Sequence, residues 1–270
     1  MFKKVLSLII LSICTCFISS CSSSKMVEFD YVTSEYDDDT EGNSFLINRE
    51  QDLKTVTYLE KTDTSKLEQY NTNYFSDYSL IVFKVIDSKN SPSGIKGCHF
   101  KWNKIVIDLN TRPQTIENKT YYFYLIKIKK ISSSFYKRIR IFEDGNLFSD
   151  NRVQKEDYYD FLRNFDLNIN KDALKSAERW SEIFKITGPI NRLQIVFKNT
   201  QIIRGLNIKL EYFDIETDFK IEENYDVNNN FISYFAFFDY QSNEKTYELM
   251  SQFQKVEFVC AVTTGISFPT

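Results

Sequence analysis

The stretch Tyr78–Ile86, Tyr-Ser-Leu-Ile-Val-Phe-Lys-Val-Ile, limits the possible folds more than any other part of the chain. Successive side chains of a strand point to opposite faces. Leu80, Val82 and Ile86 fall on one face, and Ile81, Phe83 and Val85 on the other, so both faces are apolar. Such a strand belongs inside a sheet that is covered on both sides. The flanking sequence supplies partners. Ser44–Ile47 reads as a short strand, and Arg49–Leu59 as a short helix with Leu53 and Val56 on one side. Tyr70, Tyr74 and Phe75 are the apolar anchors of the polar connection that follows. Ile95–Lys101 and Lys104–Leu109 read as a hairpin around Trp102-Asn103. Thr120–Lys130 alternates, with Tyr122, Tyr124, Ile126 and Ile128 on one face and Lys127 and Lys129 on the other. Phe135–Glu143 is a further strand. Asp144-Gly145 is a tight-turn signal, and Asn146–Phe148 returns from it.

After Asn151 the period changes. Tyr158, Phe161, Leu162 and Phe165 recur at the spacing of one helix face, as do Ala173, Ala177, Trp180 and Phe184. Thr187-Gly188-Pro189 ends the second stripe. Strands are then expected at Arg192–Lys198, Ile202–Ile215, Phe231–Tyr240 and Lys255–Thr263, with a short helix at Glu244–Phe253. The sequence therefore predicts an α+β fold of two antiparallel β-rich regions joined by a helical pair. The boundaries are a β-rich α+β domain at 44–150, the helical pair at 151–189, and a second β-rich region at 190–270 that could be a separate domain.

The N-terminal segment has a different character. Phe2-Lys3-Lys4 is a short positive start, Val5–Ile18 is nearly all apolar, and Ile18-Ser19-Ser20-Cys21 follows. A membrane-spanning helix needs roughly 20 apolar residues, more than this run supplies. The segment resembles a bacterial lipoprotein signal, with an aliphatic residue three before the cysteine and two small residues between. The resemblance implies a signal peptide at 1–20, cleavage before Cys21, and lipidation of the Cys21 thiol. Membrane lipid is then a partner through Cys21, and the protein sits on the outer face of the bacterial cell membrane. Two acyl chains on one cysteine hold stably where one holds marginally. Residues 21–43 follow as a flexible acidic stalk. Glu28, Asp30, Glu35, Asp37, Asp38, Asp39 and Glu41 carry its charge, with no base after Lys25.

A weaker resemblance covers residues 44–130. The order Tyr70…Tyr74-Phe75, then Ser79–Phe83, Lys104–Ile107 and Tyr122–Ile128, is similar to a small α+β domain of exported proteins in low-GC bacteria. That domain is similar to the one in protease-stabilising partner proteins. It implies a non-catalytic protein-interaction module. The chain departs from the pattern at Ser91-Pro92-Ser93-Gly94, where a glycine-rich turn is usual.

Chemistry is sparse in the sequence. With seven glycines the chain contains no phosphate-loop or dinucleotide fingerprint. Net charge is −3, and without Lys3 and Lys4 the remaining 32 bases face 37 acids, so no nucleic-acid footprint is present. His99 is the only histidine. Its neighbour Cys98 points to the opposite face of the same strand, so the two do not make a nucleophile–base dyad. Cys98 and Cys260 remain as an even pair after processing, and a disulfide could join them in an exported protein; two buried free thiols are the other reading. Asp37-Asp38-Asp39 and Asp226–Asn230 resemble calcium-binding runs, but the latter lacks the turn glycine and the twelfth-position glutamate. Phe231–Tyr240 puts aromatics on both faces of a strand, as core packing requires. No catalytic residue, metal ligand or cofactor is assigned. The expected function is a surface-anchored, non-enzymatic interaction or accessory protein with an unidentified protein partner. An extracytoplasmic solute-binding protein and a carboxylate-dependent hydrolase are the alternatives.

Overall fold

The computed structural model describes residues 27–34, 42–59, 62–89, 91–112, 115–164, 190–197, 208–225, 228–229 and 231–264. These form a mixed α+β fold, rich in sheet, with twelve strands in three four-stranded sheets. The first sheet has the order β1 (Phe29–Ser34), β6 (Lys119–Lys129), β3 (Tyr78–Ser88), β2 (Ser44–Ile47) and is antiparallel throughout. The second has the order β4 (Ile95–Lys101), β5 (Lys104–Leu109), β7 (Arg138–Glu143), β8 (Asn146–Arg152). The third has the order β10 (Phe219–Tyr225), β11 (Phe231–Phe238), β9 (Arg192–Phe197), β12 (Val259–Thr263). Four helices accompany them: α1 (Glu50–Leu59), α2 (Tyr74–Asp77), α3 (Glu156–Arg163) and α4 (Asn243–Gln254).

The doubly apolar strand takes the interior place its sequence demands. β3 lies between β6 and β2, and residues Ser79 to Asp87 are all buried. Its alternate side chains enter two separate cores. Ile81, Phe83 and Val85 meet Ile105, Ile107, Ile139 and Ile141 of the second sheet. Leu80 and Val82 join Leu53 and Val56 of α1, Tyr158, Tyr159, Phe161 and Leu162 of α3, and the inner face of the third sheet. β6 divides in the same way, with Tyr122, Tyr124 and Ile126 on one side and Phe123 and Leu125 on the other. The first sheet is thus a middle layer, and burial of both faces is what holds it there.

Four expectations need correction. Phe29–Ser34 is not spacer but the edge strand β1, paired from Phe29↔Ile126 to Ser34↔Tyr121. Phe29 stacks on Tyr124, Tyr31 meets Tyr122 edge-on, and Val32 is 2% exposed. These apolar side chains outweigh the neighbouring acids, and Asp30 is itself taken up by Tyr70 Oη at 2.6 Å. Second, there are three sheets rather than two regions, and one is mixed: β5 and β7 run parallel because the chain crosses through β6 in the first sheet between them. Strands inside 44–130 therefore pair with strands on both sides of that range, and it does not close as a unit. Third, the 44–150 boundary cuts a strand, since β8 continues to Arg152. Fourth, Leu210–Phe213 is a 3-10 turn in place of strand, ended by Asp214 in the left-handed region at φ 50°. Residues 202–207 lie outside the described residues, as do the second helical stripe and Asp37-Asp38-Asp39. Cys98 carries a free thiol on β4, and the side chain of Cys260 lies outside the described residues.

Candidate functional site

A cleft of about 690 Å³ runs along β8 and faces the 3-10 turn and α4. Its walls come from distant parts of the sequence. Gly42–Phe45 and Leu147–Arg152 form one side, and Tyr212–Asp214, Phe238, α4 and Val256-Glu257 form the other. An ion-pair cluster ties the two sides. Arg138 Nε donates to Asp150 Oδ1 at 2.7 Å, and Arg138 Nη1 donates to Asp214 Oδ1 at 2.8 Å. Arg140 Nε lies 2.7 Å from Asp150 Oδ2, and the Arg152 amide donates to Asp214 Oδ2 at 2.5 Å. Burial pushes the Asp214 carboxyl above its usual range, opposed by the Arg152 amide and by the charges of Arg138 and Arg152. Burial lowers the Arg138 guanidinium, and the bond to Asp150 with the neighbouring carboxylates more than reverses this, so its net shift is upward. Deeper in the wall, Tyr158 donates its hydroxyl to Glu257. Complete burial, first, and the Glu257 charge, second, push the Tyr158 phenol well above its ordinary value, which keeps it a donor.

Each of these groups is held by its element. β7 and β8 pair Arg138↔Arg152 and Arg140↔Asp150, which sets both couples on one face of the second sheet. The left-handed backbone at Asp214 turns its carboxylate toward β8. The left-handed region accommodates aspartate better than most residues. Both oxygens of Asp214 accept from donors inside the protein, while Asp150 accepts at Oδ1 from Arg138 and is ion-paired at Oδ2 with Arg140, whose Nε–H makes no hydrogen bond. Chemically this is a polar wall with fixed charges.

The residues singled out in the sequence fall elsewhere. His99 is half exposed on β4, with Nδ1 3.6 Å from Asp108 Oδ2. Cys98 packs against the core between the first and second sheets. Burial, with a smaller contribution from Asp108, pushes its thiol up to about 12, which makes it a poor nucleophile at neutral pH. The two side chains are not brought together. Of the Asp226–Asn230 run only residues 228 and 229 are described. On β11, Tyr234, Ala236 and Phe238 face the core, while Phe235 and Phe237 lie on the other face under the Arg192 guanidinium. Among the described residues, no group of three or more His, Cys, Asp or Glu is placed to hold a metal ion, and no helix is long and apolar enough to cross a membrane. Sequence reading did not identify the Arg138, Asp150, Arg152, Asp214 and Glu257 cluster. Its members come from three separate segments, and only the basic alternation Arg138-Ile139-Arg140 marked one of them.

Comparison of the chain with family models, with curated proteins and with solved structures found no match.

Proposed function

We propose that the chain is an exported lipoprotein, anchored through Cys21 at the outer face of the cell membrane, that works as a non-enzymatic interaction protein. Its partner is a protein whose polar segment enters the cleft along β8. The observation that carries this reading is the engagement of the cleft's carboxylates. Asp150, Asp214 and Glu257 are occupied by arginines, a backbone amide and a tyrosine hydroxyl, a state suited to fixed recognition. A hydrolase would instead place two carboxyl groups on either side of a bond to be cut. The proposal includes a helical pair across 151–189, of which α3 is the described part.

The test is a pull-down from the native cell envelope with the chain beginning at Ser22. Gln252 is exposed on α4 and lines the cleft, so Gln252→Trp fills it without entering the core. The reading predicts a captured protein that is lost with Gln252→Trp. His99→Gln should retain capture. A hydrolytic turnover that disappears in folded Asp214→Asn or His99→Gln protein would replace this reading with an enzyme.

A further inference from the structure

Three observations meet at one end of the molecule. The first is exposed aromatic surface. Trp102, at the tip of the β4–β5 hairpin, is 87% exposed, Phe135 is 60% exposed and Phe100 is 46% exposed. Phe100 and Phe135 both pack against Tyr136, at 5.3 and 4.9 Å between ring centroids. Trp102 also has φ 54°, a conformation that a bulky residue adopts at an energetic cost and that clusters at functional positions.

The second is charge. Lys101 and Lys104 flank the tryptophan, and Lys127, Lys129 and Lys137 lie at the same end. The register places Lys101, Lys104 and Lys137 together at the hairpin tip, and Lys127 and Lys129 at the end of β6 on the face turned away from the second sheet. Lys129 pairs with Tyr78 at the start of β3, Lys104 pairs with Arg138 at the start of β7, and the Lys137 amide donates to the Asn103 carbonyl at 2.8 Å. Acids are also near: Asp157, Glu211 and Glu216 line a cleft with Tyr136 and Lys137, whereas the surface around Trp102 is shared by Lys101, Lys104, His99 and Arg140 without a carboxylate. None of the five lysines forms an ion pair with a described residue, although Lys127 rests 3.9 Å from the Tyr78 ring centroid. In a chain whose net charge is −3, this is a local basic surface.

The third is where the chain enters the fold. β1 starts at Phe29, opposite Ile126 near the end of β6, so the N-terminal segment arrives at this lysine-rich, aromatic end. Val27, Phe29, Ile131 and Tyr136 pack on the same core. Phe29 is only eight positions after Cys21, a fully extended reach of at most about 28 Å.

We infer that this end, tipped by Trp102 and Phe135 and flanked by Lys101, Lys104 and Lys137, docks on an anionic phospholipid bilayer. Tryptophan settles at the headgroup level, and lysines near an anionic leaflet add attraction that salt screens. The orientation rests on the Cys21 anchor proposed above, whereas the lipid affinity of the end itself does not. β8 and its cleft lie at the edge of the second sheet opposite β4, so docking leaves them accessible.

The test uses the chain beginning at Ser22, which keeps every described element and bears no acyl chain. It is sedimented with vesicles of phosphatidylcholine, and with vesicles that also contain phosphatidylglycerol. The expected result is partition onto the anionic vesicles that declines as salt is added. Trp102→Ala with Phe135→Ser, and separately Lys101→Glu with Lys104→Glu, should each lower it at least about tenfold. These positions are on the surface, and unchanged melting shows that the variants fold. No partition, equal partition onto both vesicle types, or folded variants that sediment like wild type would overturn the inference. So would loss of a captured envelope protein in the same variants without any vesicle binding, which would assign the end to a protein. A failed anchor appears separately, as absent acylation of Cys21.

Discussion

The Arg112–Glu143 pair shows how a single side chain fastens two sheets. Arg112 Nε and Nη2 donate to the two oxygens of Glu143 at 3.0 Å each, and the Arg112 amide adds a bond at 2.9 Å. The same guanidinium donates through Nη1 to the Ile86 carbonyl of β3 at 3.0 Å and lies over the Phe148 ring. Bonding by the Arg112 side chain holds the Glu143 carboxyl below the usual carboxylate range. A depressed acid stabilises the fold above its unfolded pKa, and that stabilisation is lost as pH falls through the folded value. Glu143→Gln is therefore expected to cost about 1–2 kcal/mol at pH 7, with the difference from wild type shrinking below about pH 4. Urea unfolding at pH 7 and pH 3.5 measures it, and an equal loss at both would contradict the pair's role. At this scale the sequence said little. Glu143 was visible as the end of a strand, but its partner lies 31 positions away on a connection.

The strands and turns were the legible level, and the exceptions have physical causes. β3 could be read because both its faces are apolar, and β6 because Tyr122, Tyr124, Ile126 and Ile128 alternate with Lys127 and Lys129. The Trp102-Asn103 and Asp144-Gly145 turns could be read because the flanking strands alternate. β10 was missed since only Phe219 and Ile221 mark an inner face in Phe-Lys-Ile-Glu-Glu-Asn-Tyr. β1 was hidden by its acidic neighbours, although Phe29, Tyr31 and Val32 carry its packing. The β5–β7 parallel pairing was illegible because it depends on a crossover through another sheet. β1 closes one edge of the first sheet, so it should contribute measurably to stability. Val32→Asp puts a charge among the buried apolar residues of α1 and β3 and is expected to cost about 3 kcal/mol. Limited Glu-specific digestion gives a second readout. Wild type should retain Phe29–Ser34 with the stable remainder, whereas trimming to Phe45 with no change in melting would mean that β1 contributes nothing.

For the whole molecule, the fold changes the picture of an extended spacer. The chain becomes a strand at Phe29, eight positions after Cys21, so the anchor proposed at Cys21 would hold the fold close to the membrane. The cleft draws on β8, the 3-10 turn and α4, so it exists only when all three sheets are assembled, which is why no local motif announced it. Everything proposed for the protein's place and orientation depends on the thiol of Cys21. The direct measurement is incorporation of labelled palmitate, with cell fractionation, for wild type and Cys21→Ser side by side. Wild type should carry the label and partition with the membrane and into detergent, and Cys21→Ser should carry none and lose detergent partition. A Cys21→Ser protein that is labelled and partitions like wild type, or a wild type that takes up no label, would contradict the account.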